Sequence, residues 1–184
     1  GHGHLADRSK PILMTLSRLD RIKNVAGFVE WYAQDENLRE RANVLVVGGF
    51  VDPSRSGDAD EQAQIHRLHH LFEEHGLDGQ VRWANMVTDK MFVGELYRYV
   101  ADRRGAFVQP ALFEAFGLTV IEAMVSGMPV FATRYGGPLE IIEDGRSGFH
   151  VDPNHGEQAT RRMAEFLAAC AERPERWDEV SRAG

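Results

Sequence analysis

Short apolar runs alternate with longer amphipathic stretches along the whole chain. The runs are rich in Val, Ile, Leu and Phe, and most are too short to form a helix. Because their apolarity is continuous rather than alternating, they predict strands that are buried on both faces of a sheet. The predicted strands are Ile12–Leu16, Val44–Val47, Val81–Met86, Ala106–Val108, Val130–Ala132 and Gly148–Val151.

The stretches between these runs repeat apolar residues at helical spacing, as Val25, Phe28, Val29 and Tyr32 do. Strands that alternate with helices predict right-handed βαβ units. The expected fold is therefore α/β, a Rossmann-like, doubly wound parallel sheet of about six strands. The predicted helices are Asn24–Gln34, Asp60–His75, Val93–Arg103, Leu118–Ser126, Pro138–Glu143 and Gln158–Ala171.

A parallel sheet of this kind binds its ligands beyond the carboxyl ends of the strands. Polar and glycine-rich segments follow the predicted strands, and we expect the chemistry of the protein to lie among them. These segments are Ser17–Asn24, Gly48–Asp58, Asn85–Lys90, Gln109–Gly117, Thr133–Pro138 and Asp152–His155.

Composition narrows the classes of partner. The 184 residues, 43% of them hydrophobic, suit a single domain over residues 1–184. A formal net charge of -7 disfavours nucleic acid and anionic lipid as partners. No apolar stretch approaches the roughly 20 residues that would span a membrane. The single cysteine, Cys170, excludes an internal disulfide and favours a reducing, cytoplasmic location.

The segment after the first strand carries candidate phosphate-binding residues. It opens the first helix, and the free N–H groups of a helix start attract phosphate. Arg18 would add a bidentate fork and Lys23 a point charge. The alternative is that these cations belong to a solvated surface loop.

A second segment follows the fourth strand. Glu114 lies in its loop, Gly117 allows close approach of a ligand, and Leu118 and Thr119 would present N–H groups at the next helix start. Glu122 lies within an otherwise apolar helix, where a buried carboxylate needs ligand hydroxyls or a cation as partner. The alternatives are that Glu114 is an acid favoured by the helix dipole and that Glu122 is partly exposed.

Other patterns are weaker. Gly136-Gly137 before Pro138 predicts a tight turn against a ligand or another domain, or else a plain connection. The dinucleotide, P-loop and nucleophile-elbow glycine motifs are all missing from the sequence. Three histidines at helical spacing lack a carboxylate or thiolate complement, so we expect no metal site; they are His66, His69 and His70.

These segments closely resemble the C-terminal half of sucrose synthases, which are retaining glycosyltransferases of the GT-B fold. The resemblance runs from about Leu5 to the end of the chain. The spacing of Glu114 and Glu122 is shared by many retaining GT-B enzymes, whereas the other matches are narrower. The matching segments are Arg18–Asn24, Gly94–Tyr99, Gly105–Val120, Gly136–Ile142 and Gly145–Pro153.

The resemblance implies a role for each candidate residue. Arg18 and Lys23 would contact the nucleotide diphosphate, and Gly117, Leu118 and Thr119 would cradle the same phosphates. Glu122 would accept hydrogen bonds from the ribose hydroxyls. Glu114 would lie near the transferred glucose and position it, and it would not act as a covalent nucleophile. These residues are the site that we expect from sequence.

The segment Val81–Val87 would lie beside the nucleotide base. Plant sucrose synthases have a glutamine and an asparagine at the positions of Val87 and Val93, and those amides recognise uracil. Two valines cannot form such hydrogen bonds. We therefore expect ADP to be accepted as well as UDP.

The resemblance also implies the reaction, in which sucrose and a nucleoside diphosphate give nucleotide-glucose and fructose with retention, without a metal ion. An N-terminal acceptor-binding domain and a final crossing helix would complete the enzyme, which we expect to be a homo-oligomer. Alone, the chain would bind nucleotide weakly and turn over nothing. Sucrose-phosphate synthase, another retaining transferase and a non-catalytic nucleotide-binding module remain alternatives.

Overall fold

The computed structural model describes residues 1–184, and its centre is a six-stranded sheet in which every neighbouring pair is parallel. The strand order is β3-β2-β1-β4-β5-β6. This is the doubly wound order that the alternation of strands and helices predicts, so the expected fold class is confirmed. The strands are β1 Ile12–Leu16, β2 Asn43–Val47, β3 Val81–Ala84, β4 Ala106–Gln109, β5 Val130–Thr133 and β6 Phe149–Val151.

Eight α-helices connect and cover the strands. The six predicted helices are all present, with ends displaced by a few residues. They are accompanied by a 3-10 turn at Pro53–Arg55. The helices are α1 Val25–Gln34, α2 Glu36–Arg41, α3 Ala59–His75, α4 Lys90–Asp102, α5 Leu118–Val125, α6 Pro138–Ile141, α7 Gly156–Glu172 and α8 Glu175–Ala183.

Local capping explains the main differences from prediction. Helix α4 begins before Val93 because the Asp89 carboxylate accepts hydrogen bonds from the N–H groups of Met91 and Phe92, at 2.9 and 3.2 Å. Helix α2 is too short to show a hydrophobic period, and it depends on the same kind of cap from Asp35. The sequence pattern therefore missed an element that a single side chain nucleates.

The two faces of the sheet are packed unequally. One face carries a cluster of 31 buried apolar residues and the other a cluster of 14, so the second face has the thinner cover. On that second face, α5 leaves Leu118, Ile121 and Val125 largely exposed. The buried residues of α4 and α5, including Tyr97 and Val120, belong to the smaller cluster.

The topology brings two of the predicted segments together. Strand β1 pairs with β2 on one side and β4 on the other, so the chain leaves β1 and β4 in opposite directions. A crevice at such a switch point is where sheets of this class bind ligands. Here the N–H of Leu112 donates to the carbonyl oxygen of Ile22 at 2.8 Å. The Asn24 side-chain amide donates to the carbonyl oxygen of Pro110 at 3.0 Å, so the two loops are joined.

Candidate functional site

The loop after β1 is shaped by a carboxylate of its own. Asp20 Oδ1 accepts a hydrogen bond from the N–H of Lys23 at 2.8 Å, and its Oδ2 lies 3.2 Å from the Arg18 guanidinium. Asn24 then adopts a left-handed conformation, with φ of 55°, immediately before α1 begins. This tight turn directs the Lys23 side chain across to the neighbouring loop.

Lys23 and Glu114 form an ion pair between the two loops. Lys23 Nζ lies 2.7 Å from Glu114 Oε2, and the two side chains are only 23% and 12% exposed. Because both groups are mostly withdrawn from water, solvent screens their attraction less than that of a surface pair. The pair fastens the loop after β1 to the loop after β4.

The Glu114 carboxylate accepts hydrogen bonds from three sides. Gln109 Nε2 donates to the same Oε2 at 2.7 Å, and the N–H of Gly117 donates to Oε1 at 3.3 Å. Burial alone would raise the pKa of Glu114, but the hydrogen bond and charge of Lys23, with the N–H groups of Gly117 and Phe116, hold that pKa below its ordinary value. The carboxylate is therefore ionised and fixed in orientation.

The glycine pair before α6 packs against the backbone of Glu114. The N–H of Glu114 donates to the carbonyl oxygen of Tyr135 at 3.0 Å. The N–H of Gly137 donates to the carbonyl oxygen of Glu114 at 2.8 Å. A Cβ atom on Gly136, where φ is +107°, would lie 2.0 Å from the carbonyl oxygen of Glu114. Glycine is thus required at this turn because the backbone of Glu114 leaves no room for a side chain.

Helix α5 begins beside this carboxylate with free N–H groups. Gly117 precedes it with φ of 77° and provides no side-chain cap. The N–H groups of Leu118 and Thr119 have no acceptor within the protein. Because Lys23 uses one of its three N–H donors on Glu114, its other two also remain available. Lys23, Glu114 and Gly117 are therefore in contact at the edge of the sheet, and Leu118 and Thr119 follow Gly117 directly at the start of α5.

Three predicted residues lie outside this group. Arg18 is 78% exposed and contacts Asp20, with no contact that joins it to α5. Glu122 is exposed on α5, so the burial cost expected for its carboxylate does not arise, and the partly exposed alternative describes it better. Val87 is half-buried and packs against the smaller apolar cluster, as Val93 does.

Sequence reasoning missed two residues that organise the site. Gln109 ends β4 with only 4% exposure, and a polar side chain inside an apolar run was the signal that could have identified it. Asp20 was the other, since an acid three residues before Lys23 is typical of a side-chain-capped turn.

The histidines and the cysteine have structural surroundings. His69 Nε2 lies 2.7 Å from the carbonyl oxygen of Val51, and its ring packs 5.1 Å from that of Trp83. No group of three or more His, Cys, Asp and Glu side chains is placed to hold a metal ion. Burial raises the pKa of the half-buried Cys170 thiol to about 11, so it is a weak nucleophile. None of the helices has the length and apolarity needed to cross a membrane.

The parallel sheet, with its charged site at the switch point, defines an α/β domain of the GT-B glycosyltransferase class. The family model of group 1 glycosyl transferases matches residues 3–183, and the chain belongs to this family. Its relatives include the sucrose synthase of Nitrosomonas europaea, 59% identical over 97% of this chain and 22% of the relative. The sucrose synthase of Acidithiobacillus caldus is 58% identical over 97% of this chain and 23% of its own length. The predicted resemblance is confirmed.

Solved structures show the same fold. Sucrose-phosphate synthase from Thermosynechococcus elongatus superimposes with a TM-score of 0.72 at 27% identity, covering 95% of this chain and 39% of that one. Anabaena HepE in complex with UDP and glucose superimposes with a TM-score of 0.75 at 22% identity, covering 95% of this chain and 42% of that one. The chain spans about a fifth of the length of the sucrose synthases that it matches.

Proposed function

We propose that the chain is the donor-nucleotide-binding part of a sucrose synthase. That enzyme would convert sucrose and a nucleoside diphosphate reversibly into nucleotide-glucose and fructose, with retention at the glucosyl carbon. The 59% identity to a sucrose synthase supports the reaction. The main observation in support of a nucleotide site is that Lys23 and the N–H of Gly117, which precedes α5, both contact Glu114 at the β1–β4 switch point.

The donors around this junction suit a diphosphate. The two free N–H donors of Lys23 and the amides of Leu118 and Thr119 can all bind phosphate oxygens. Arg18 is held only by an exposed pair with Asp20, so it can turn toward the same anion. Fixed donors stabilise the negative charge that develops on a departing diphosphate. We propose that these groups perform this step without a metal ion.

Glu114 would organise the site rather than attack the sugar. Its carboxylate already accepts hydrogen bonds from Lys23, Gln109 and Gly117, so few lone pairs remain for a nucleophile. We infer that it fixes the Lys23 ammonium toward the phosphates and borders the transferred glucose. Glu122, exposed on the next turn of α5, would accept the ribose hydroxyls.

The base would be recognised loosely. Val87 and Val93 pack against the smaller apolar cluster and offer no side-chain hydrogen bond to a base. We therefore propose that UDP and ADP both bind, with less discrimination than a site with amides at these positions would give.

The rest of the enzyme would supply the acceptor site. Because the chain spans about a fifth of its relatives, sucrose and fructose would contact a separate N-terminal domain of the complete protein. We propose that the complete protein is a homo-oligomer that catalyses the reaction. The chain alone would bind nucleotide weakly and would not cleave sucrose.

Calorimetric titration of the chain with UDP, ADP and their glucose conjugates tests the site. All four should bind, and Lys23→Met should weaken UDP binding about tenfold or more, as loss of a charged hydrogen bond does. Lys10→Met is the matched control, because Lys10 is also half-buried but donates to the carbonyl oxygen of Arg39 at 3.0 Å, away from the site. Equal UDP affinity for the wild type and Lys23→Met would contradict the assignment.

Turnover assays test the reaction. The complete protein should cleave sucrose with UDP or ADP, and it should prefer fructose to fructose 6-phosphate as acceptor in the reverse direction. The opposite acceptor preference would identify it as a sucrose-phosphate synthase, the class of the 27% identical structure. Sucrose cleavage by the 184 residues alone would refute the proposal that a separate N-terminal domain is needed to bind sucrose and fructose.

A further inference from the structure

Gln109 connects the sheet to the ion pair at the site. It is the last residue of β4, a strand that pairs with β1 on one side and β5 on the other. The residue is buried, with only 4% of its surface exposed. Nε2 donates to Glu114 Oε2 at 2.7 Å, and Oε1 accepts a hydrogen bond from the N–H of Ala111 at 3.3 Å.

We propose that Gln109 is a positioning residue of the nucleotide site, which holds the Glu114 carboxylate in the orientation that fixes the Lys23 ammonium. The inference rests on the proposed function for its ligand, a nucleoside diphosphate. Gln109 would act through Glu114, to which its side chain donates a hydrogen bond.

The geometry explains why a second side-chain donor is needed beside the 3.3 Å hydrogen bond from the N–H of Gly117. The last torsion of a glutamate side chain is broad, so a carboxylate held by a flexible lysine alone keeps much of its freedom. Glu114 Oε2 accepts from Lys23 and from Gln109, each at 2.7 Å. The lysine has a long stem with four rotatable bonds and begins in a loop, whereas the glutamine begins in a buried strand. Gln109 therefore transfers the rigidity of the sheet to Glu114 and, through it, to Lys23.

The neutrality of the amide is equally important. A lysine or arginine at this position would add a positive charge that competes with Lys23 for the carboxylate. A glutamate would place a second anion beside Glu114 and repel both the carboxylate and a bound phosphate. Glutamine supplies a donor without a charge, and its own oxygen has a partner, so its burial is compatible with stability.

A hydrogen bond donated to a carboxylate favours its ionised form, so we expect the Gln109 amide to act on Glu114 in the same direction as Lys23. The charged group that faces this carboxylate is Lys23, from the loop after β1, while the start of α5 contributes backbone N–H groups. Removing the amide would leave Lys23 in place but take away one donor. The pKa of Glu114 should then rise toward its ordinary value.

Gln109→Met tests the inference, because methionine is close to glutamine in size and lacks the amide. In the 184-residue chain, UDP affinity should fall about tenfold, near the lower end of the effect of one hydrogen bond to a charged group. The carboxyl ¹³C signal of Glu114, followed by NMR, should titrate at a higher pH than in the wild type. A purely structural side chain would not move that midpoint.

Asn43→Leu is the matched control, since it removes another buried strand amide at the opposite end of the sheet. Asn43 is 1% exposed, and its Nδ2 donates to the carbonyl oxygen of Asp7 at 2.6 Å. This variant should lose stability while keeping the UDP affinity and the Glu114 midpoint of the wild type. Equal changes in both variants would overturn the proposal.

Gln109→Glu keeps the test decisive if Gln109→Met does not fold. The substitution preserves the shape of the side chain and places two carboxylates at one ammonium. The two carboxylates should then titrate with one raised midpoint, and the variant should bind UDP more weakly. A wild-type midpoint and affinity in either variant would overturn the positioning role alone. Failure of the wild-type chain to bind UDP or ADP would instead contradict the proposed function, while the Glu114 titration would still test Gln109.

Discussion

Two ion pairs that begin in the loop after β1 each join a cation to a carboxylate, but their surroundings differ. Lys23 and Glu114 are 2.7 Å apart with side chains 23% and 12% exposed, whereas Arg18 and Asp20 are 3.2 Å apart with side chains 78% and 24% exposed. The first pair joins two loops across the switch point, and the second lies within one turn. We expect the contribution of each pair to stability to depend on its exposure to water and on the groups that hold its carboxylate.

Glu114 is anchored by groups outside its own loop, and Asp20 is not. The strand residue Gln109 and the turn at Gly136 both fix Glu114, from its side chain and from its backbone. Asp20 accepts from Lys23 and Arg18, both neighbours along the chain. We therefore expect changes around Glu114 to alter the stability of the fold, and changes at Arg18 to alter ligand binding alone.

Gly136→Ala should have the largest effect. The new Cβ would lie 2.0 Å from the carbonyl oxygen of Glu114, at a φ of +107° that side chains rarely adopt. Steric overlap with backbone and strain together should lower the free energy of unfolding by about 3 kcal/mol or more, measured by urea denaturation. Gly57→Ala is the control, because its Cβ would meet nothing within 4 Å. Similar losses in both variants would show that the turn does not support Glu114.

Lys23→Met should have the next largest effect on stability. It leaves the Glu114 carboxylate with Gln109 and Gly117 as donors but without a cation. Stranding a fully buried charge costs about 3–5 kcal/mol, so this partly exposed one should cost about 2 kcal/mol in urea denaturation. In a double-mutant cycle with Glu114→Gln, the coupling should be about 1 kcal/mol or more. A coupling near zero would make this pair equivalent to a surface pair.

The sequence predicted the fold because its evidence is local and periodic. Continuous apolar runs such as Val44–Val47 indicate buried strands without any knowledge of their neighbours. Lys23 and Glu114 were each recognisable as charged residues in ligand-side loops. Their contact could not be recognised, because the two residues are 91 positions apart and only the strand order brings them together. The apolar sequence around Glu122 likewise suggested burial, although the outer face of α5 is exposed.

Acid should weaken the partly buried pair of Lys23 and Glu114. Because the folded-state pKa of Glu114 is held below its ordinary value, the pair contributes stability above about pH 4.5 and loses it as the pH falls through the folded pKa. Urea denaturation between about pH 6 and 3 should therefore show the wild type losing stability relative to Glu114→Gln. A difference between the two proteins that is constant over this range would contradict the lowered pKa.

Arg18→Gln should have the smallest effect on stability and a clear effect on binding. Because Arg18 is 78% exposed, removing its pair with Asp20 should change the free energy of unfolding by no more than about 0.5 kcal/mol. The same change should weaken UDP binding about tenfold in calorimetry, if Arg18 turns from Asp20 to the diphosphate. Arg161→Gln, at an exposed position on α7, should alter neither quantity. If Arg18→Gln unfolds more easily but binds UDP normally, the prediction is wrong. Arg18 would then stabilise the loop after β1, and Lys23 would be the only one of the two cations that binds the ligand.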